Sequence, residues 1–313
     1  MSCCSGISRE GPQDKSPAAL PAFIHDIADW TAPNRATFKG ARSHTGTKTP
    51  EIKADGEGII RQHRLKPFGV DVAPVTNARF AAFVIETGYI TVAERFGWSA
   101  VFRGLLEDDR ALAAGDDNAP WWGISQGACW HAPLGAGSSV ETLANHPVTH
   151  IAWEDAVFFA KWSGGRLPSE AEWEHAARGG RADPRFPWGD CEPDDTNFLP
   201  CNIFQGRFPD MNVCADGWRG TSPIGAFPAN DAGLFDMAGN VWEWTSEPFQ
   251  IRSASKAAKA RNAQARRDGE KLMKGGSFLC HISYCYRYRI AARLSTAADS
   301  GGCNAGFRVF YDA

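Results

Sequence analysis

No hydrophobic run in this chain approaches the roughly 20 apolar residues that a membrane span requires, so no transmembrane helix and no membrane partner is expected. The opening MSCCSGISREGPQDKSPAAL has no apolar core, so it does not read as a secretory signal. Charge of one sign is also lacking. Thirty-three Lys and Arg face 36 Asp and Glu, a net of −3, which does not favour nucleic acid as a partner. A phosphate loop, a dinucleotide fingerprint and a Ser-His-Asp order are absent. The eight histidines form no cluster. His146 and His150 are spaced i, i+4, but Pro147 disfavours a helix there, and both read as structural. Nine cysteines are an odd, scattered set, a poor basis for a disulfide framework. The expected home is the reducing cytoplasm, with folding independent of disulfides. Cys3 and Cys4 read as incidental surface thiols on a flexible tail over residues 1–35.

What the chain does have is apolar content and anchors. Hydrophobic residues make up 43%, enough for a large core. Twelve Trp with 32 Gly point to a loop-rich fold pinned by aromatic side chains. Three helices are legible. VTNARFAAFVIETG places Phe80, Phe83 and Val84 on one face and stops at Gly88. WEDAVFFAKWSGG aligns Trp153, Val157 and Ala160 and stops at Gly164. LPSEAEWEHAARGG sets Ser169 three residues before Glu172, a capping box, with Trp173, Ala176 and Ala177 as the apolar stripe and Gly179 as the stop. FRVFYD, residues 307–312, alternates like a terminal strand. Neither a repeat nor a linker is visible, so a single α+β domain is expected over 36–313. The Ala-rich, basic stretch 253–271 reads as an exposed helix or a mobile insertion. Its cations could attract an acidic partner, but lacking interleaved aromatics they read as a solvated face.

Two constellations could carry chemistry. In GGSFLCHISYCYRYRIAAR, Cys280 and Cys285 are five apart. From Cys285 onward Arg287 and Arg289 alternate with Tyr286, Tyr288 and Ile290, a strand period. On a straight strand the two thiols would lie on opposite faces, roughly 17 Å apart. Either they act independently or the chain bends. The arginines would favour thiolate, and two converging thiolates suit a soft metal, copper(I) or zinc. Burial as core residues, a disulfide, and a metal or redox pair all remain open on spacing alone. The second constellation is acidic and amide-rich: Asn202, Asp210, Asn212 and Asp216 in one loop, Asp236, Asn240 and Glu243 around Gly239 in another. Oxygen ligands in glycine turns suit calcium; ordinary Asx-turn capping is the alternative.

Taken in order, PVTNARFAAFV, APWW, NHPVTHIAWEDA, GGRLPSEAEWEHAARGG, FPWGD, CNIFQGRFP, GNVWEWTSE, KGGSFLCHISYCYRYRIAAR and NAGFR resemble the formylglycine-generating enzymes of the sulfatase-modifying-factor family over about residues 36–311. The resemblance implies a single α+β domain with little regular secondary structure, related to the C-type-lectin-like fold. It implies oxidation by O2 of the cysteine in a sulfatase Cys-x-Pro-x-Arg motif to formylglycine, with a thiol reductant. By that resemblance Cys280 and Cys285 bind copper(I), joined in the active site by Ser277, Trp242, Tyr284 and Asn304. One structural calcium would be held by Asn202, Ile203, Asp216 and Trp218, the other by Asp236, Gly239, Val241 and Glu243, both loops standing apart from the cysteines. The substrate would be an extended polypeptide, and the protein a monomer.

Three departures stand out. Lys39-Gly40 replaces the family's Met-Gly. Thr296–Gly301 reads TAADSG in place of NTPDSS. Ile290 and Val309 stand where secreted relatives carry disulfide cysteines, which fits a cytoplasmic protein. Two other classes compete: a lectin-like binding module without chemistry, whose members lack the cysteine pair, and an iron-dependent sulfoxide synthase, which needs the histidine cluster missing here.

Overall fold

The computed structural model describes Arg9 and residues 19–109, 112–116 and 118–313; Cys3 and Cys4 lie outside these. In chain order the elements are α1 (Phe23–Ile27), β1 (Arg35–Phe38), β2 (Ala41–Thr45), β3 (Arg61–Leu65), β4 (Phe68–Asp71), α2 (Asn77–Thr87), α3 (Val92–Phe96), β5 (Trp98–Phe102), β6 (Ala113–Asp116) and β7 (Ala119–Gln126). There follow α4 (Trp153–Trp162), α5 (Glu170–Arg178), β8 (Gly206–Arg207), β9 (Met211–Asn212), β10 (Trp242–Pro248), α6 (Lys256–Arg267), β11 (Glu270–Lys274), β12 (Leu294–Ala297), β13 (Ala305–Gly306) and β14 (Phe310–Asp312). Short helices and strands joined by long irregular segments make this an α+β domain of low regular content.

Local signals set the helices. Thr76 accepts the Arg79 N–H at the start of α2, and Gly88 closes it in the left-handed region. In α5, Ser169 accepts the Glu172 N–H while Glu172 returns to the Ser169 N–H, and Gly179 ends the helix at φ +59°. α4 ends at Ser163, one residue before the expected Gly164. The apolar faces of α2 and α4 meet through Phe80 and Phe159, stacked with ring centroids 5.7 Å apart. Phe80 also packs on Trp130 and Phe159 on Phe307. Each such fully buried side chain contributes about 2–3 kcal/mol.

The four-stranded sheet that carries the site has the order β12-β11-β10-β13. β10 pairs antiparallel with β11, Glu243 opposite Lys274, and parallel with β13, Trp242 opposite Ala305.

Three expectations are corrected. The tail assigned to 1–35 is too long in its described part: Ile24 of α1 is fully buried in the main core, and Arg9 is buried with its guanidinium donating to the Trp98 carbonyl. FRVFYD is a strand only over Phe310–Asp312, which pair with Phe68–Val70 of β4; before them the Phe307 and Val309 carbonyls accept from Val75 and Asp71 outside that ladder. The strand read from Cys285 to Ile290 is irregular chain between a turn at Cys285 and another at Ile290, with Tyr286 at φ +37°. Of the two readings of 253–271, the structure has the helix: α6, capped by Ser255, is largely exposed and buries only Ala258 and Ala265.

Candidate active site

The segment after β11 turns tightly at Gly275 and Gly276, both at positive φ. A Cβ on Gly276 would lie 2.9 Å from Tyr288 Cα, so only glycine lets the two passes of chain approach this closely. The chain then folds back: the N–H groups of Tyr284, Cys285 and Tyr286 all donate to the His281 carbonyl. This bend brings Cys280 Sγ to 3.0 Å from Cys285 Sγ. That exceeds an S–S bond of about 2.05 Å, and no disulfide joins any of the described cysteines. Both thiols are buried, at 0% and 1% exposure, against the main core.

The surroundings bind the pair into a polar frame. The Ser277 N–H donates to Cys280 Sγ at 3.4 Å, a contact that favours thiolate. Asn304 Nδ2 donates to Ser277 Oγ at 3.0 Å, and the Leu279 N–H donates to the same oxygen. The Trp242 N–H donates to the Asn304 carbonyl, which places β10 beside the serine. The Trp242 indole N–H is buried with no acceptor among the described residues. Tyr284 is half-buried: it stacks on Phe208 at 4.4 Å and meets Trp121 edge-on at 5.0 Å. Trp121 and Phe208 join the site without having been expected there; they come from distant segments, and their only sequence signal is that they fall within APWW and CNIFQGRFP.

The arginines behave differently from expectation. Arg287 pairs with Asp55 at 2.7 Å, Arg289 with Glu57 at 2.9 Å and Arg293 with Glu170 at 2.6 Å. Each charge is compensated by a carboxylate from an earlier segment, so these residues clamp the loop. Tyr286 and Tyr288 both donate to Glu192, Tyr288 at 2.9 Å, and burial pushes the Tyr286 hydroxyl up to about 12.

The two acidic loops lie against this frame, contrary to the expectation that they stand apart. The Asn240 N–H donates to the Asn202 carbonyl, the Phe278 N–H to the Asn240 carbonyl, and the Phe204 N–H to the Cys280 carbonyl. Gly239 is required where the loops touch, since a Cβ there would meet the Asn202 oxygen at 2.2 Å. In the first loop Asn202 Oδ1 is a buried acceptor without a donor. Gln205 Nε2 donates to both the Ile203 carbonyl and Asp216 Oδ2, and the Trp218 N–H donates to Asp216 Oδ1. Burial raises the Asp216 carboxyl above its ordinary value. An orphaned amide oxygen near a carboxylate and a carbonyl fits a hard cation. In the second loop, burial raises Asp236 to about 6, and the nearby Glu243 charge acts in the same direction. Glu243, however, already has a cation: Arg308 Nη2 lies 2.8 Å from Oε1, and Trp173 Nε1 donates to Oε2 at 2.7 Å. The backbone of Val241 lies between Asn240 and Trp242 in the same turn into β10. Among the described residues no three His, Cys, Asp or Glu side chains converge, so both calcium readings depend on amide and carbonyl oxygens. His146 bonds Thr221, and His150 bonds Ser99 with burial pulling it down to about 3; both are structural.

The sequence matches the FGE-sulfatase family, the sulfatase-modifying factor enzyme 1-like domain, over residues 31–313. It is 43% identical over 302 residues to a formylglycine-generating enzyme of Thermomonospora curvata, spanning 94% of this chain and 99% of that one. It is 47% identical over 261 residues to one of Streptomyces coelicolor, spanning 83% of each. A Bos taurus relative named inactive C-alpha-formylglycine-generating enzyme 2 is 38% identical over 281 residues, spanning 88% of this chain and 87% of that one. The fold resembles that of PvdO from Pseudomonas aeruginosa, with a TM-score of 0.62 at 21% identity over 96% of this chain and all of that one. The chain belongs to the sulfatase-modifying factor enzyme 1-like family.

Proposed function

We propose that this protein is a formylglycine-generating oxidase that acts on a sulfatase polypeptide in the cytoplasm, converting the cysteine of a Cys-x-Pro-x-Arg motif to Cα-formylglycine with O2. The observation that carries the reading is the buried sulfur pair, Cys280 and Cys285, 3.0 Å apart within the Ser277–Asn304 frame. The reaction replaces the substrate's C–S bond by C=O. O2 is reduced to two waters by two electrons from the substrate's CH2–SH group, which becomes a thioaldehyde, and two from two reductant thiols, which become a disulfide; one water then replaces the sulfur, which leaves as sulfide, and supplies the aldehyde oxygen.

Two soft sulfur donors side by side fit copper(I), which Cys280 and Cys285 would hold as thiolates. Bound there, the metal would supply redox chemistry between a thiolate and O2. The remaining steps belong to the chain. The Ser277 N–H steadies the Cys280 sulfur in its ionised form. Asn304 donates to Ser277 Oγ and fixes the hydroxyl, whose own proton would serve a reacting group. The Trp242 indole N–H is a buried donor awaiting an acceptor. The half-exposed platform of Tyr284, Phe208 and Trp121 receives the apolar part of an extended peptide. Burial of both cysteines keeps bulk water from the sulfurs. Calcium in the loop of Asn202, Ile203, Asp216 and Trp218 would brace the segment that holds Cys280.

Mass spectrometry of a Cys-x-Pro-x-Arg peptide incubated with the protein, copper(I), a thiol reductant and O2 tests this. The expected product has lost sulfur and gained an aldehyde. A product that is only a disulfide, or equal turnover of a scrambled cysteine peptide, would overturn the reading in favour of a general thiol oxidase. An unreacted peptide would point to a binding module.

A further inference from the structure

Residues 250–271 contain seven Lys and Arg against two acids, in a chain whose net charge is −3. Most of this excess lies on α6, inserted between β10 and β11. α6 has no Asp or Glu. It turns Ala258 and Ala265 into an apolar cluster with Phe249, Ile251 and Leu272. Asn262 bonds the Ile251 backbone in both directions, at 2.7 and 2.8 Å. Those contacts secure the helix. Lys256, Lys259, Ala263 and Arg266 follow at i, i+3, i+7 and i+10, a single stripe.

Helix stability does not account for that stripe. Lys256 and Lys259 occupy the first turn, where the helix dipole disfavours cations, and like charges at i, i+3 repel. Arg261 is satisfied by Glu270 at 2.5 Å. Among the described residues, Arg252, Lys259 and Arg266 form no ion pair. These three line an open cavity of about 450 Å³ between α6 and the Gln250–Ser253 segment, floored by Ile251 and Ala263. Lys259 and Arg266 are two helical turns apart, about 10 Å. On an extended polyproline II segment, which repeats every three residues, carboxylates three apart lie on one side about 9 Å from each other.

We propose that this basic groove is an exosite that docks an acidic, extended segment of the polypeptide substrate, outside the cysteine motif. The inference rests on the reading that the substrate is a polypeptide. β10 runs about 20 Å from Trp242 in the active site to Pro248, two residues before Gln250 at the edge of the groove. A flexible connection of about 12 residues covers that span.

The test compares a Cys-x-Pro-x-Arg peptide with the same peptide joined to a six-residue Asp/Glu segment by a 12-residue Gly/Ser linker, attached before or after the motif. At low salt the acidic extension, in at least one arrangement, should lower KM at least fivefold with kcat unchanged, and the gain should fade by 0.5 M NaCl. The triple variant R252E/K259E/R266E, all exposed positions, should abolish the gain while turning over the short peptide like the parent. Direct binding of the acidic segment alone, read by fluorescence anisotropy, should be lost in the same variant. If the short peptide reacts and neither extension changes KM, the exosite is refuted while the catalytic reading stands. Anisotropy binding without turnover of any peptide would refute the catalytic reading instead. If a single-stranded oligonucleotide of equal charge competes as well as the acidic peptide does, the groove is a general polyanion surface and the assignment to substrate is wrong.

Discussion

Asn304 donates its side-chain amide to Ser277 Oγ across 27 residues of sequence, at 3.0 Å and fully within the core. The bond joins the loop before β13 to the loop after β11, and the serine it orients also gives its N–H to the Cys280 sulfur. Asn304→Ala should therefore lower kcat by roughly tenfold or more, the equivalent of about 1.4 kcal/mol. Copper stoichiometry should be unchanged. Loss of copper together with activity would show that Asn304 supports the metal site rather than the reacting groups.

Cys280→Ser and Cys285→Ser should each abolish peptide oxidation and weaken copper(I) binding by more than about a hundredfold, since even supporting contacts to a metal ligand cost roughly 10–100-fold. Affinity in the parent should rise with pH, because thiols with an ordinary pKa of about 8.5 must lose protons on binding. Competition titration with a copper(I) chelator reads both effects. A double serine variant that still binds one copper(I) tightly would move the site elsewhere.

Calcium should matter to the cysteine segment as well as to stability, because Phe204 and Asn240 bond directly to Cys280 and Phe278. Calcium at about 100 times its Kd would add about 2.7 kcal/mol, so exhaustive chelation should lower Tm by about 5 °C and reduce turnover. Asp216→Ala should reproduce both. The first loop has an unsatisfied Asn202 oxygen, while Glu243 of the second is already paired with Arg308; calcium should therefore be lost from the Asp216 variant in a metal analysis. A parent protein that copurifies without calcium and melts identically in chelator would refute the site.

Glu172 gives a pH signature. Burial pushes its carboxyl up, but Arg166, bidentate at 2.7 and 2.9 Å, and the Ser169 N–H outweigh burial and hold it below its ordinary value. A depressed folded pKa means that the stabilisation is complete above the unfolded pKa and disappears as pH falls through the folded one. Glu172→Gln should cost about 1–2 kcal/mol at pH 7. The gap from the parent should narrow steadily below about pH 4.3. Urea midpoints at pH 7 and pH 3.5 measure it; a gap that is constant with pH would mean the loss is packing, not charge.

The helices were legible because their causes are local. The capping box of Ser169 and Glu172, the stripe of Trp173, Ala176 and Ala177, and the Gly179 stop all act within two turns of one another. The same holds for Phe80, Phe83 and Val84 in α2. Cys280 and Cys285 were visible as a pair with three possible fates, and the resemblance of the surrounding motifs pointed to one of them. Their convergence was decided only by the tertiary structure. The alternating run from Cys285 to Ile290 has the local preference of a strand, but Asp55, Glu57 and Glu170 each capture one of the following arginines, and the close pass of Gly276 over Tyr288 leaves no room for a straight ladder. Three buried or half-buried ion pairs and a glycine-only contact outweigh a strand propensity that spans about 1 kcal/mol. The sequence alone determined which residues could do the chemistry; a turn closed on the His281 carbonyl, with the chain after it clamped by carboxylates more than a hundred residues away, makes two sulfurs, expected roughly 17 Å apart on an extended strand, meet at 3.0 Å.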